Sequence, residues 1–405
     1  MTETNANETN ANETSETETN ATETRRPTFE FADGIRAVAA LCVALLHATT
    51  FTGRSGDVEE ALPVVARVAE LGHYAVPVFI VLSGYVLMIP AARSDGYRLR
   101  GGFRRYIGRR ARRILPPYYA SLALFLLLIA LVPLLQNRAG TAWDNKIPVT
   151  VEGVVSHLLL VHNVSPAWIY QINGPAWSVA TEWQIYFLLP LVLLPLCRWI
   201  TPWGMLAIAL ALGPALTLLV PRTASASFWF IGLFALGMIA ALLTVRGTRV
   251  APAWFGWAAL TGILAGACWM LAGPPTSLLA RIAADTLVGA GVAAGLVALG
   301  RSSIDGQTTA VRRVFEWRPL VATGTWSYSI YLIHSPLLGL ANLLLLPLAL
   351  PTAAHWLTMV LGALPVALGV SYLFFQLVER HFTTSHQRRE LAAGDRAPDA
   401  PPLRA

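Results

Sequence analysis

Asp33-Gly34-Ile35-Arg36-Ala37-Val38-Ala39-Ala40-Leu41-Cys42-Val43-Ala44-Leu45-Leu46-His47 is the stretch on which the reading of this chain turns. An arginine opens an apolar run and a histidine sits eleven residues further in. At about 100° per residue, eleven residues complete three helical turns plus about 20°. Arg36 and His47 therefore share one face of a helix, roughly 16 Å apart along its axis. Ionisable groups at such depth are expensive in lipid, so each marks a candidate functional site. The bland alternatives are an arginine that snorkels to the headgroups and a histidine bonded to a neighbouring helix. A neutral imidazole accepts a proton near neutral pH, which makes His47 a candidate general base.

The whole chain supports a membrane reading. Of its 405 residues, 55% are hydrophobic and 13% charged, and the mean hydropathy is +0.53. A soluble protein carries roughly twice that charge. Apolar stretches long enough to cross a bilayer recur, so the expected fold is all-α, a polytopic bundle of about ten transmembrane helices. The predicted spans lie near 35–53, 73–92, 114–134, 183–199, 203–220, 227–244, 252–272, 281–300, 326–348 and 353–377. Between the third and fourth spans, residues 135–182 hold one apolar piece around Val154–Val161, too short to cross and read as re-entrant or interfacial. Residues 1–30, largely an imperfect repeat of Thr, Glu, Asn and Ala, are expected to be a disordered cytoplasmic tail. Residues 31–382 form the membrane domain, and 383–405 a cytoplasmic C-terminal tail. No basic segment precedes a short apolar core at the N-terminus, so no cleavable signal is expected.

Arginine placement orients the bundle. Arg93, Arg98, Arg100, Arg104, Arg105, Arg109, Arg110, Arg112 and Arg113 crowd the connection after the second span, which the positive-inside rule makes cytoplasmic. Both termini then lie inside, in the cytoplasmic membrane, and so do Arg198, Arg246, Arg249, Arg301, Arg312, Arg313, Arg318 and Arg380. Treating 152–164 as a full span would invert the later basic segments. The net charge of +7 is almost all arginine, Lys146 being the sole lysine. Charge confined to loops suits lipid headgroups and phosphorylated ligands and makes nucleic acid an unsuitable partner. Cys42, Cys197 and Cys268 lie in apolar runs and read as small core residues, with neither a disulfide framework nor metal spacing.

Three further constellations carry polar chemistry. Arg109, Arg110, Arg112 and Arg113 lead into the third span, and guanidinium forks suit phosphate oxygens. The competing reading is a juxtamembrane run that only sets orientation. Trp177-Ser178-Val179-Ala180-Thr181-Glu182-Trp183-Gln184-Ile185-Tyr186 is placed at the outer mouth of the fourth span. There Glu182 is a partner for His47, an acceptor for a substrate hydroxyl, or a helix N-terminal acid. Tyr328, Tyr331 and His334, three residues apart, make a polar stripe on the ninth span, for cavity lining or helix–helix bonding. Val81-Leu82-Ser83-Gly84-Tyr85 is a small-residue packing notch. Asp285 is paired with Arg281 at i, i+4. His157 and His162 read as surface residues of the outer segment. No Gly-x-Ser-x-Gly elbow, phosphate-binding loop or metal-spaced cluster occurs.

In order along the chain, these motifs resemble the acyltransferase-3 family of integral membrane O-acyltransferases. The Arg36–His47 block, Phe79–Tyr85, Arg109–Tyr118, Trp177–Tyr186, Gly324–Pro336 and Leu377-Val378-Glu379-Arg380 each resemble a family block, and together they run across residues 33–382. The chain departs from the family at Ala75-Val76-Pro77, where Gly-Val-Asp is frequent, and at His381, where proline often follows Glu-Arg. No appended extracellular hydrolase-like domain is expected.

The resemblance implies transfer of acetyl or another short acyl group from acyl-CoA to a hydroxyl of a sugar, an envelope glycan or a macrolide-type metabolite. It implies His47 as catalytic residue with Arg36 as its companion, and Glu182 orienting the hydroxyl or His47. Arg109, Arg110, Arg112 and Arg113 are then contacts for CoA phosphates. Trp177, Ser178, Tyr186, Tyr328, Tyr331 and His334 are candidate substrate contacts. Acyl-CoA is a co-substrate, and no tightly bound cofactor or metal is expected. The rival class is a transporter or flippase of a lipid-linked or amphipathic small molecule, although the two halves show no clear internal repeat of the kind many transporters carry.

Overall fold

In the computed structural model, residues 29–99, 101–273, 275 and 277–383 are described, and among them there is no strand. Among the described residues, ten helices are long and apolar enough to cross a membrane. They are α1 (Phe31–Thr50), α2 (Pro63–Ala92), α3 (Gly102–Leu131), α4 (Ala176–Trp199), α5 (Pro202–Leu219), α6 (Thr223–Arg246), α7 (Pro252–Ala272), α8 (Leu278–Ile304), α9 (Ser327–Leu348) and α10 (Thr352–Leu377). The chain is an all-α, multi-pass membrane protein. The expected tails, apart from Phe29, Glu30 and Thr383, lie outside the described residues.

Local chemistry sets the helix boundaries. Thr201 accepts from the Gly204 N–H at 2.9 Å, and Pro202 opens α5 where no N–H is needed. Ser277 caps α8 through the Ala280 N–H at 3.1 Å. Two boundaries differ from the sequence reading. α3 begins at Gly102, so most of the basic run is the N-terminal end of one helix of 30 residues. α4 begins at Ala176, which places Glu182 almost two turns inside the helix and removes it from the N-terminal turn.

Packing in the bundle relies on close backbone approach, because lipid gives no hydrophobic drive between helices. A Cβ on Gly84 would lie 2.1 Å from the Phe234 carbonyl oxygen, so the predicted notch is where α2 meets α6. A Cβ on Gly34 would lie 1.9 Å from the Phe315 carbonyl oxygen, which seats the start of α1 against the segment before α9. The basic side chains close one end of the bundle. Arg198 Nε donates to the Gly96 carbonyl at 2.6 Å, Arg246 Nε to the Ala92 carbonyl at 3.1 Å, and Arg301 to the Thr244 carbonyl at 3.3 Å. These arginines satisfy chain carbonyls at helix ends as well as bringing charge.

The segment between α3 and α4 forms a cap at the opposite end. Its helix Val151–Leu158 has 8 residues and cannot span. Val151 and Leu159 beside it are exposed, as befits an interfacial piece. His157 and His162 are not surface residues: both are fully buried, with rings stacked at 3.8 Å. Burial pushes His157 down to about 4 and His162 to about 3, so they are neutral. Cysteine placement also differs: Cys197 is buried, whereas Cys42 and Cys268 face outward. Asp285 accepts from Trp229 Nε1 at 2.9 Å and forms no direct ion pair with Arg281.

Candidate functional site

Proline chemistry ties the cap to α9 close to its histidine. Pro336 has no N–H, so the Leu332 carbonyl loses its helical partner. Asn173 Nδ2 from the cap donates to that carbonyl at 2.8 Å. About half a turn from His334, the gap in the helix ladder is therefore closed by the cap. At the far end of α1, Gly53 and Asn342 exchange two hydrogen bonds, of 2.8 and 2.9 Å. These ties fix α1, α9 and the cap relative to one another.

Held in this way, His47 Nδ1 lies 2.7 Å from His334 Nε2, with the rings 5.0 Å apart and inclined by 21°. His334 Nδ1 lies 2.6 Å from the Ile330 carbonyl. A carbonyl only accepts, so that nitrogen carries the hydrogen. In the neutral ring Nε2 is then an acceptor, and the hydrogen between the two rings belongs to His47 Nδ1. The remaining lone pair of neutral His47 is on Nε2. The chain carbonyl–His334–His47 thus sets the tautomer of the candidate base, the task a carboxylate performs in other dyads. Glu182, for which a partnership with His47 was one of the expected roles, bonds to Ser83 and Tyr186 instead.

Two cavities flank a common wall. The first, about 370 Å³, is lined by Arg36, Arg110, Arg113, Glu182, Tyr186 and Tyr328 among others. The second, about 590 Å³, is lined by His47, Lys146, Trp177, Ser335, Glu70 and Asp285 among others. Val76 and Tyr331 border both. Tyr331 donates to the Pro175 carbonyl at 2.9 Å and lies 2.5 Å from Ser178 Oγ, so the wall between the cavities is hydrogen-bonded in place.

In the arginine cavity, Arg36 forms an ion pair with Asp33 at 2.5 Å, one turn earlier on the same helix. Glu182 accepts from Tyr186 at 2.5 Å and from the Ser83 hydroxyl of α2. Tyr328 donates to the Ile114 carbonyl at 3.2 Å. Behind them Glu379, fully buried, accepts from Ser329 N at 3.0 Å and Ser329 Oγ at 2.5 Å. Burial pushes its carboxyl up to about 7, against the opposing pull of Ser329 and the nearby Arg113 charge.

The basic run divides by helix geometry. Arg110 and Arg113, three residues apart, face the cavity, whereas Arg109 and Arg112 are exposed and do not line it. The structure therefore gathers Arg36, Arg110, Arg113, Glu182, Ser178, Tyr186, Tyr328 and Tyr331 around one cavity. It places His47, Trp177 and Tyr331 at the other, with His334 behind His47. Asp33 and Lys146 are polar groups that sequence reasoning left without a role, and Ser83 was read only as part of a packing notch. Asp33 had a signal, its i, i+3 spacing from Arg36, whereas the other two did not.

Comparison with known proteins identifies the family. Residues 29–376 match the acyltransferase-3 family, described as an acyltransferase domain. The chain is similar to acyltransferase MdmB of Streptomyces mycarofaciens, with 26% identity over 358 residues covering 83% of this chain and 85% of that protein. No solved structure matches. The chain belongs to the acyltransferase-3 family and is a multi-pass membrane acyltransferase.

Proposed function

We propose that the protein is an acyl-CoA-dependent O-acyltransferase of the cytoplasmic membrane, with both termini inside. It moves acetyl or another short acyl group to a hydroxyl of a sugar, an envelope glycan or a macrolide-type metabolite. The observation that carries this reading is the pair of cavities, one basic and one holding His47, on either side of the Tyr331 wall. The arginine-rich end is cytoplasmic by the positive-inside rule, which puts the basic cavity where acyl-CoA is available. Arg110 and Arg113 there are suited to the phosphates of the donor. Arg36, steadied by Asp33, is suited to polar groups along the donor's arm. Arg109 and Arg112 outside the cavity add a field that draws the anionic donor in.

The acceptor enters the His47 cavity from the opposite side. Its hydroxyl gives its proton to His47 Nε2 as its oxygen bonds to the thioester carbonyl carbon. The carbon–sulfur bond then breaks, and the proton passes to the departing thiolate. The products are an ester and free CoA thiol. Tyr331 and Ser178 form the wall through which the thioester must reach His47. Glu182, on the donor side, serves the donor rather than His47.

The test uses the full chain purified into nanodiscs, radiolabelled acetyl-CoA and propionyl-CoA, and a panel of glycans and macrolides, with His47→Ala alongside. Label in an acceptor with wild type alone supports the reading. Folded wild-type protein that releases no CoA thiol, or a fully active His47→Ala, overturns it.

A further inference from the structure

Lys146 is the sole lysine of the chain, and it lies in the cavity of His47. The residue is only 6% exposed. Its carbonyl accepts from the Ile172 N–H at 3.1 Å, which holds this part of the cap against the loop before α4. The side chain runs past Gly174, where a Cβ would stand 2.9 Å from Nζ, so glycine is what leaves room for the ammonium. Nζ lies 5.6 Å from the centre of the Phe51 ring and 5.5 Å from that of Tyr170. The Phe51 ring is itself 6.4 Å from the His47 ring, so Phe51 neighbours both groups on the cavity wall.

An ammonium has three donors, and Lys146 gives one, to Asn145 Oδ1. Among the described residues it forms no ion pair. The two carboxylates of the cavity are engaged elsewhere: Glu70 with His73 at 2.7 Å, and Asp285 with Trp229 at 2.9 Å. Two ring faces and one amide repay only part of the cost of burying a cation. A second observation points the same way. Ser335, next to His334, and Ser225 border the same cavity, and their buried hydroxyls lack hydrogen-bond partners among the described residues. The cavity therefore presents a buried positive charge and unused polar atoms near the candidate base.

We infer that Lys146 is a second catalytic group, whose ammonium holds the acyl carbonyl oxygen while negative charge develops on it during transfer at His47. The inference rests on the acyl-transfer reading above. As the acceptor oxygen bonds to the carbonyl carbon, its proton goes to His47 Nε2 and the carbonyl π pair moves onto oxygen, facing Lys146. That pair returns as the carbon–sulfur bond breaks, and His47 gives its proton to the thiolate. A preorganised cation in a site poor in water is worth far more than in solution.

The experiment uses the full chain in nanodiscs with radiolabelled acetyl-CoA, following CoA thiol release with and without the panel acceptors. Lys146→Met keeps the apolar stem and removes the charge; Lys146→Gln does the same with a polar end, should the first fail to fold. Monodisperse elution and acetyl-CoA binding serve as controls for folding. The expected result for both neutral variants is a kcat lower by on the order of 100- to 1,000-fold, the usual loss for an oxyanion donor. KM for acetyl-CoA stays within a few-fold, because the donor phosphates are bound in the other cavity. Lys146→Arg retains more activity than either. A folded neutral variant with kcat within threefold of wild type, while His47→Ala is inactive, overturns the role of Lys146 alone. An active His47→Ala overturns the underlying reading instead.

Discussion

His47 Nδ1 donates to His334 Nε2 at 2.7 Å, across 287 residues of chain, and His334 in turn is fixed by the Ile330 carbonyl at 2.6 Å. His334 is thus a positioning residue for His47. His334→Leu is expected to lower kcat by about 10- to 100-fold, the usual loss for an orienting partner, with little change in KM for acetyl-CoA. His334→Gln can place an amide oxygen against His47 Nδ1 and is expected to recover part of the loss. A purely structural histidine would give equal deficits for Leu and Gln at equal thermal stability, and that result would refute the relay.

The basic run makes a separate prediction, because α3 turns its arginines to different sides. Arg113→Ala and Arg110→Ala remove guanidinium groups from the cavity wall and are expected to raise KM for acetyl-CoA about tenfold or more, the loss of one charge-assisted contact. Arg109→Ala and Arg112→Ala act only through the field outside. They are expected to change KM less than threefold at physiological salt and to flatten its salt dependence. Steady-state kinetics at two ionic strengths separates the pairs. Equal effects at all four positions would place the phosphates on the outer surface of α3.

Much of this arrangement was legible in the chain, and what was not has identifiable causes. The ten spans follow from run length, which lipid enforces strictly. The near 20° offset of Arg36 and His47 put both on one face, and α1 indeed presents one to each cavity. The Tyr328–Tyr331–His334 stripe was harder. Each three-residue step climbs about 4.5 Å and turns back about 60°, so the stripe is a diagonal. Tyr328 lands in the arginine cavity, Tyr331 on the wall and His334 behind His47. Glu182 was misplaced because α4 starts earlier than its apolar run does, at Ala176. Lys146 carried no signal at all. It ends a short 3-10 turn, Ala142–Lys146, too brief for a period to tie a residue to a face, and only its being the sole lysine set it apart.

Asn173 and Pro336 make a prediction about stability. Asn173→Ala leaves the buried Leu332 carbonyl unpartnered and is expected to cost about 1–3 kcal/mol. Pro336→Ala supplies an N–H at the position from which the helix ladder would reach that carbonyl. In the Asn173→Ala background it is expected to restore stability, whereas in the wild type it should gain less. A double-mutant cycle by thermal unfolding in one detergent reads the coupling. Additive effects would show that Asn173 does not stand in for the missing N–H.

Lys146 links the cavity to pH. Burial pushes its amine down to about 8 from an ordinary value above 10. An amine is charged below its pKa, so the ammonium is present at neutral pH and is lost as pH rises through about 8. If that charge supports transfer, kcat falls along an alkaline limb centred there. The other titratable groups of the cavity are His47 on α1, Glu70, His73 and Tyr74 on α2, Tyr170 in the cap, Arg281 and Asp285 on α8, and Tyr331 on α9. Lys146→Arg discriminates among them, because a guanidinium keeps its charge across the whole range. The limb should vanish in that variant while the acid side of the profile stays in place. A limb unchanged by Lys146→Arg would assign the alkaline loss to another group and remove the ammonium from the chemical step.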